Sequence, residues 1–261
     1  AGYLNCGGFP ERFAESSSQI GLRLTAAEVR EAFPLRQKPA ASIEIDNHRL
    51  YLPQLPSISG VMTGQIVGML REEGYASAGR AERAHLLADA SLRATSARTA
   101  WLSPGGQAGE PMENLLAESR FEQMTAGYSS GQRTPAASLN PPPTRLPLDI
   151  DGTGFVVGDR YGNAVACAFS MNNLFGIGVI APGTGIVLAP PPPAQNKGGF
   201  PYPVALIGNE NTGRLTLAVE SSGGPAAPAN IARVVLEAYE AAEPRAEVVG
   251  APRKVNVGAP D

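Results

Sequence analysis

The stretch that decides the fold is residues 151–172, DGTGFVVGDRYGNAVACAFSMN. A small, flexible Asp-Gly pair leads into a single threonine, Thr153, which begins an apolar strand. The dipeptide Gly162-Asn163 is a turn signal, and it predicts that a second strand folds back beside the first and runs through Ser170. We therefore expect a β-hairpin whose first strand starts with a hydroxyl group.

This layout is typical of an N-terminal-nucleophile (Ntn) hydrolase. In such an enzyme a threonine hydroxyl attacks the preceding peptide carbonyl and cuts the chain, and the freed α-amine then acts as base for the same hydroxyl. An α-amine has a pKa near roughly 8, which suits that task. Gly152 would allow the strained backbone that the attack requires. The alternative is that these residues have only a structural role as a turn and the start of a strand, because Asp-Gly is a common turn signal and threonine is a good strand former.

Several segments of the chain resemble the γ-glutamyltransferases (γ-glutamyltranspeptidases), which are Ntn hydrolases. The matching segments are residues 52–61, 162–165, 171–176, 181–188, 221–224 and 251–253. Together they span nearly the whole chain. The family's large subunit begins well before the point where Ala1 falls, so the resemblance implies a divergent, N-terminally incomplete member. It also implies an α+β fold, namely an αββα four-layer sandwich that would be partial in this chain.

Hydrophobic patterning is consistent with that class. The sequence alone indicates helices first and strands after, which is an α+β arrangement. We expect one domain over residues 1–261, with a large-subunit-like helical half at 1–125 and a small-subunit-like sheet half at 152–261. Residues 126–151 are rich in serine, glycine and proline, and they read as an exposed linker.

Three local signals in the first half are specific enough to test. Thr25 and Glu28 form a capping box that predicts a short helix. The alternation at residues 41–46 and 50–52 predicts a hairpin with one buried face. Residues 78–102 form the longest helical pattern, and Arg93 is placed on its solvated side.

The resemblance also implies roles for individual residues. It implies catalytic roles for Thr153, Ser170, Gly223 and Gly224 and substrate-binding roles for Asn172 and Ser222. Thr153 would be the nucleophile, and Ser170 would be the second hydroxyl that contacts it. Gly223 and Gly224 would form an oxyanion hole from backbone N–H groups. Ser170 and Asn172 stand two apart on the predicted strand, so we expect their side chains to share a face.

The chain departs from the family pattern within the site. An alignment without gaps from Gly162-Asn163 puts the nucleophile position on Gly152, whereas a one-residue deletion after Thr153 would put it on Thr153. The sequence leaves both alternatives open. A proline run, Pro190 to Pro193, replaces the family's amide- and carboxylate-bearing grip on the substrate. The family's serine pair falls near Gly199-Phe200, and no arginine matches the family's substrate-binding arginine.

Two functions from different classes follow. The first is an amidohydrolase or transferase with an altered substrate site, acting on a small amide or peptide other than glutathione. The second is a catalytically inactive relative that serves as a structural or binding subunit of a larger complex and has a protein partner. The family resemblance implies a periplasmic or extracellular location in a bacterium.

Net charge, hydrophobicity and residue spacing argue against several other kinds of function. The net charge is -3, so the chain lacks the excess of basic residues that is typical of nucleic-acid-binding proteins, and we do not expect it to bind nucleic acid. No apolar run approaches the roughly 20 residues that a transmembrane helix requires. His48 and His85 are isolated, with no Cys, Asp or His at ligand spacing, so we expect no metal site. We expect no cofactor either.

Overall fold

The computed structural model describes residues 7–32, 37–104, 106–143, 152–190, 203–253 and 256. Its helices are α1 (Phe9–Ser18), α2 (Ala26–Ala32), α3 (Ile58–Glu72), α4 (Arg80–Trp101), α5 (Met112–Leu115), α6 (Glu118–Thr125), α7 (Ala227–Val235) and α8 (Arg245–Gly250). Its strands are β1 (Ala41–Ile45), β2 (His48–Leu52), β3 (Gly152–Gly158), β4 (Ala164–Ser170), β5 (Ile180–Ala181), β6 (Ile186–Val187), β7 (Val204–Asn209) and β8 (Leu215–Glu220). The described residues fall into two compact units, one within Ala1–Pro39 and Met171–Pro192 and the other within Ala40–Ser170 and Pro193–Asp261.

The smaller unit contains α1, α2 and the β5–β6 pair. The predicted capping box is confirmed, because the backbone N–H of Thr25 donates to Glu28 Oε2 at 2.7 Å and the N–H of Glu28 donates to Thr25 Oγ1 at 3.2 Å. Phe13, Val29 and Ala181 form its small apolar core.

The larger unit is built on a four-stranded antiparallel sheet with the order β1-β2-β7-β8. The predicted hairpin of β1 and β2 is confirmed, and side chains such as Leu50, Leu52 and Ile207 on one face of the sheet are fully buried. They join one apolar core with residues of α3, α4 and α7. The helix α3 lies so close to α6 that a Cβ on Gly68 would come within 2.4 Å of the Phe121 ring. Burial of this apolar area is the main stabilising term for the unit.

The β3–β4 hairpin packs on the other face of the sheet, against β7 and β8. The described residues of the larger unit therefore form a helix layer, a four-stranded sheet and a two-stranded sheet. The predicted α+β class is confirmed, and these are three of the layers that a four-layer sandwich requires. No helix in the described ranges is both long enough and apolar enough to cross a membrane.

Residues 126–143 are tied to α4 by polar side chains. Arg93 Nη1 donates to the carbonyls of Met124 at 2.7 Å and Ala126 at 3.0 Å, and Arg93 also pairs with Asp89. The Arg93 side chain is only 7% exposed, so the prediction that it points to solvent is wrong. Its guanidinium group can be buried because carbonyls from a distant segment, together with Asp89, accept its hydrogen bonds.

A second set of contacts holds the same segment. Tyr128 OH donates to Glu82 Oε1 at 2.5 Å, and His85 lies 3.0 Å from both the Tyr128 hydroxyl and the Gln132 carbonyl. The part of the predicted linker that the structure describes is therefore attached to α4 over much of its length.

Candidate functional site

The register of the β3–β4 ladder places the candidate catalytic residues. Gly152 lies opposite Ser170, and Thr153 lies opposite Phe169. Residues opposite each other in an antiparallel pair have side chains on the same face of the sheet, and the next pair points to the other face. The side chain of Thr153 therefore lies on the face of Phe169, and the side chain of Ser170 lies on the opposite face.

The two faces of this hairpin differ in chemistry. The outer face carries Thr153, Phe155, Val157, Val165, Cys167 and Phe169. The inner face carries Gly152, Gly154, Val156, Gly158, Ala164, Ala166, Ala168 and Ser170. The inner face thus consists mainly of small residues, which allow a close approach of β8.

That approach is closest between Gly154 and Glu220, the last residue of β8. A Cβ on Gly154 would lie 2.4 Å from both Cγ and Cδ of Glu220 and 2.3 Å from the carbonyl oxygen of Cys167. The Glu220 side chain therefore occupies the space above Gly154 that any other residue would fill. Position 152 is different, since a Cβ there would meet only the Phe169 oxygen, at 3.5 Å.

Glu220 has an unusual environment for a carboxylate. Its partner across the β7–β8 ladder is Val204, and the adjacent pair on the same face is Leu206 and Ala218. Burial raises the pKa of Glu220, and the Oε1 atom is buried without a hydrogen-bond partner among the described residues. Sequence reasoning missed this residue. The available signal was a charged residue closing the strand LTLAVE immediately before a Ser-Ser-Gly-Gly loop.

The double-glycine loop follows β8 directly. Gly223 and Gly224 have φ values of +115° and +54°, which is left-handed backbone that favours glycine. A short 3₁₀ turn, Gly224–Ala226, then leads into α7. Successive backbone N–H groups at such a turn and helix entrance are suited to an anion or a developing oxyanion. Ser222 is exposed beside the loop, and its carbonyl accepts from Ser221 Oγ at 3.1 Å.

Asn172 belongs to the smaller unit. The strand β4 ends at Ser170, and Asn172 has a left-handed backbone with φ +55°. The expectation that Ser170 and Asn172 share a strand face is therefore wrong. Asn172 Nδ2 donates to the carbonyl of Pro190 at 3.0 Å, so this amide is bonded to the first residue of the proline run. Residues 191–193 and the Gly199-Phe200 position lie outside the described residues.

The fold defines the class of protein. The crystal structure of cephalosporin acylase from Bacillus halodurans matches with a TM-score of 0.64 at 14% sequence identity, over 97% of this chain and 46% of that chain. The chain thus has an Ntn-hydrolase fold.

The sequence defines the family. The sequence profile described as Gamma-glutamyltranspeptidase matches residues 7–190. This chain belongs to that family. It is 22% identical over 187 residues to the glutathione hydrolase proenzyme of Escherichia coli (strain K12), a match that covers 70% of this chain and 32% of that relative. The matched part thus corresponds to well under half of the relative's length.

The profile match contains Thr153, Ser170 and Asn172, and it ends before Ser222, Gly223 and Gly224. Within the larger unit, the ladder pairs Ser170 with Gly152. The side chains of Ser170 and Thr153 lie on opposite faces of the hairpin. The catalytic and substrate-binding roles of all six residues remain predictions.

Proposed function

We propose that this chain is a γ-glutamyltranspeptidase-family protein that binds a small amide or peptide beside Ser170, at the solvent-accessible end of β4, and does not release a threonine nucleophile by self-cleavage. The observation that carries this proposal is the pairing of Gly152 with Ser170. Ser170 is expected to contact the nucleophile, and the residue facing it on β3 has no side chain. An oxygen nucleophile is therefore missing from the position that Ser170 would serve.

The position of Thr153 supports the same conclusion. Its side chain lies on the outer face with Phe169, and the backbone of the hairpin separates it from Ser170. Placing Thr153 opposite Ser170 would need a one-residue shift of register, and such a shift reverses the facing of every side chain in the strand. Phe155 and Val157 would then turn toward β8, where the inner face now accommodates Glu220 above Gly154.

Other parts of the site support ligand binding. Ser170 is accessible to solvent at the end of β4, and the Gly223-Gly224 loop precedes a nine-residue helix. The family acts on amide bonds, so an amide or short peptide is the ligand class that fits best. Because Pro190 begins a run without side-chain donors, we propose a ligand other than glutathione.

The second candidate function is a binding subunit of a larger complex, and the outer face favours it. Phe155, Val157, Val165 and Phe169 are each 49–56% exposed, and the two phenylalanine rings lie 5.6 Å apart. Contiguous apolar surface of this kind is often covered by another protein. An assembly in light-scattering measurements that dissociates on Phe155→Ser or Phe169→Ser would favour this candidate.

The intact mass of the purified protein under denaturing conditions tests the main proposal. We expect one uncut chain, with a mass of 27.1 kDa for residues 1–261. Two fragments that meet between residues 152 and 153 would establish Thr153 as the nucleophile and overturn the proposal. In that event Thr153→Ala should restore the single chain, and this variant separates self-cleavage from digestion by a contaminating protease.

We also propose a periplasmic or extracellular location, which rests on the family resemblance. Fractionation of the native host, with the protein detected by antibody, would test it. Recovery from the cytoplasmic fraction alone would contradict it.

A further inference from the structure

We propose that residues 127–133, here called the strap, are attached to α4 by a pH-sensitive bridge that is complete when His85 is protonated and loosens when His85 loses that proton. The bridge runs from Glu82 through Tyr128 and His85 to the backbone carbonyl of Gln132. None of these residues belongs to the candidate site, so this inference does not depend on the proposed function.

The two ends of the strap are held by a charge that does not titrate. Arg93 donates from Nη1 to the Ala126 carbonyl at 3.0 Å and from Nη2 to Thr134 Oγ1 at 3.3 Å, on either side of the strap. An arginine side chain stays protonated in proteins. The middle of the strap is therefore free to open locally between two points that pH does not affect.

The middle of the strap is held by three hydrogen bonds in a row. Tyr128 OH lies 2.5 Å from Glu82 Oε1 and 3.0 Å from His85 Nδ1, and His85 Nε2 lies 3.0 Å from the Gln132 carbonyl oxygen. A carbonyl oxygen only accepts, so Nε2 carries a hydrogen atom. The phenol of Tyr128, in contrast, has two partners and one hydrogen atom to donate.

The charge states of Glu82 and Tyr128 decide where that hydrogen atom goes. Hydrogen bonds from Tyr128 and Ser130 lower the pKa of Glu82, so its carboxyl group is ionised and only accepts. Burial, together with the hydrogen bond to Glu82, raises the pKa of Tyr128, so the phenol keeps its proton and donates it to Glu82. The Tyr128 oxygen then accepts from Nδ1 of His85. With a hydrogen atom on both ring nitrogens, His85 is an imidazolium ion.

Loss of one proton from His85 breaks the row. If Nδ1 gives up its hydrogen atom, the contact with the Tyr128 oxygen is lost; if Nε2 does, the contact with the Gln132 carbonyl is lost. The positive charge near Glu82 disappears in either case. Histidine is the side chain that ordinarily makes this change between about pH 5 and pH 8. We therefore expect the strap to be attached at the acidic end of that range and loosened at the alkaline end.

The charged groups around the bridge come from three parts of the larger unit. On α4, Asp89 is paired with Arg93, whereas Glu82 interacts electrostatically with His85. Glu73, which directly follows α3, acts on Tyr128 through its charge. In the strap itself, Arg133 is exposed to solvent. Because Asp89 already has a partner, Glu82 is the carboxylate that balances the imidazolium ion through Tyr128.

The experiment measures hydrogen–deuterium exchange of the strap in the full chain at about pH 5.5 and about pH 8.5, on the two sides of the histidine range. The backbone N–H groups of Tyr128 and Gln132 donate to Thr125 at 2.8 Å and to Ser129 at 3.2 Å, so their exchange reports local opening. Protection factors remove the intrinsic effect of pH on exchange. We expect wild-type protection to be about tenfold lower at the higher pH, because a hydrogen bond from a charged donor is lost.

Three variants assign the change to the bridge. His85→Gln does not titrate, so its protection should be the same at both pH values. Tyr128→Phe should lose the pH dependence as well, because the contact of Nδ1 is removed. His48→Gln is the matched control: it replaces the other of the chain's two histidines, which lies on β2, and should keep the tenfold change.

The amides of α3 in the same samples are the internal reference for the stability of the whole unit. Wild-type strap protection that is equal at both pH values, relative to α3, would overturn the proposal. A fall in His85→Gln as large as in the wild type would also overturn it, since another group would then titrate.

Discussion

Gly152 and Ser170 face each other across the β3–β4 ladder, and the glycine leaves the space beside the serine hydroxyl without a side chain. The backbone does not demand glycine there, since the nearest atom to an added Cβ is the Phe169 oxygen at 3.5 Å. An ordinary residue could stand at this position. The missing hydroxyl is therefore a property of the sequence and not a requirement of the fold.

The two inner-face glycines should respond differently to alanine. We expect Gly152→Ala to change the free energy of unfolding by less than about 1 kcal/mol, because a methyl group fits and the unfolded chain loses entropy. Gly154→Ala should cost about 1–3 kcal/mol, because its methyl group would overlap the Cys167 carbonyl and the Glu220 side chain. Urea unfolding followed by circular dichroism measures both. Equal costs for the two variants would contradict the packing of Glu220 against Gly154.

A feature of this structure can be predicted from the sequence when the residues that form it lie close together in the chain. The capping box of Thr25 and Glu28 can be predicted from the sequence, because both residues lie within one helical turn. The long helix was predicted over residues 78–102 and forms over Arg80–Trp101, because its apolar spacing is itself local.

The candidate site is less predictable because its geometry depends on pairing between segments. A one-residue alignment gap decides whether Gly152 or Thr153 faces Ser170, and only the ladder register distinguishes the two. The burial of Glu220 depends on Gly154, which lies 66 positions earlier in the chain. No pattern within either strand reveals that contact.

Arg93 provides a test of the buried polar network. Arg93→Ala should lower the free energy of unfolding by roughly 3–5 kcal/mol, because it leaves Asp89 buried without its ion-pair partner and two carbonyls without their donor. Arg80→Ala is the control on the same helix; its side chain is exposed, and we expect a change within about 0.5 kcal/mol. A cost below about 1 kcal/mol for Arg93→Ala would mean that the network contributes little to stability.

The attachment of residues 126–143 to α4 can be measured by limited trypsin digestion. Tyr128→Phe removes the donor to Glu82 and the hydroxyl beside His85. We expect cleavage after the exposed Arg133 to become several-fold faster, because local opening exposes the chain to the protease. Ser138→Ala, which removes only a hydrogen bond to the nearby Pro135 carbonyl, is the control. Unchanged cleavage in Tyr128→Phe would show that the hydroxyl does not hold this segment.

Glu220 should give the protein a distinct dependence of stability on pH. Because burial raises its pKa in the folded state, folding is favoured by the protonated form. That contribution is fully present below the ordinary glutamate pKa of 4.5 and is lost as the pH rises through the raised folded value. Glu220→Gln cannot ionise, so its stability relative to the wild type should increase as the pH rises above 4.5 and then level off.

Urea unfolding of both proteins between about pH 4 and pH 8 gives this difference directly. Glu210→Gln is the control, because Glu210 lies in the turn between β7 and β8, at the opposite end of that hairpin. Its carboxylate pairs with Arg49 at the surface, so loss of this group should not stabilise the protein at neutral pH. Parallel stability curves for the wild type and Glu220→Gln would mean that the carboxyl group titrates as it does in water. That result would contradict the burial of the Glu220 carboxyl group against Gly154, whereas the pairing of Gly152 with Ser170 would be unaffected.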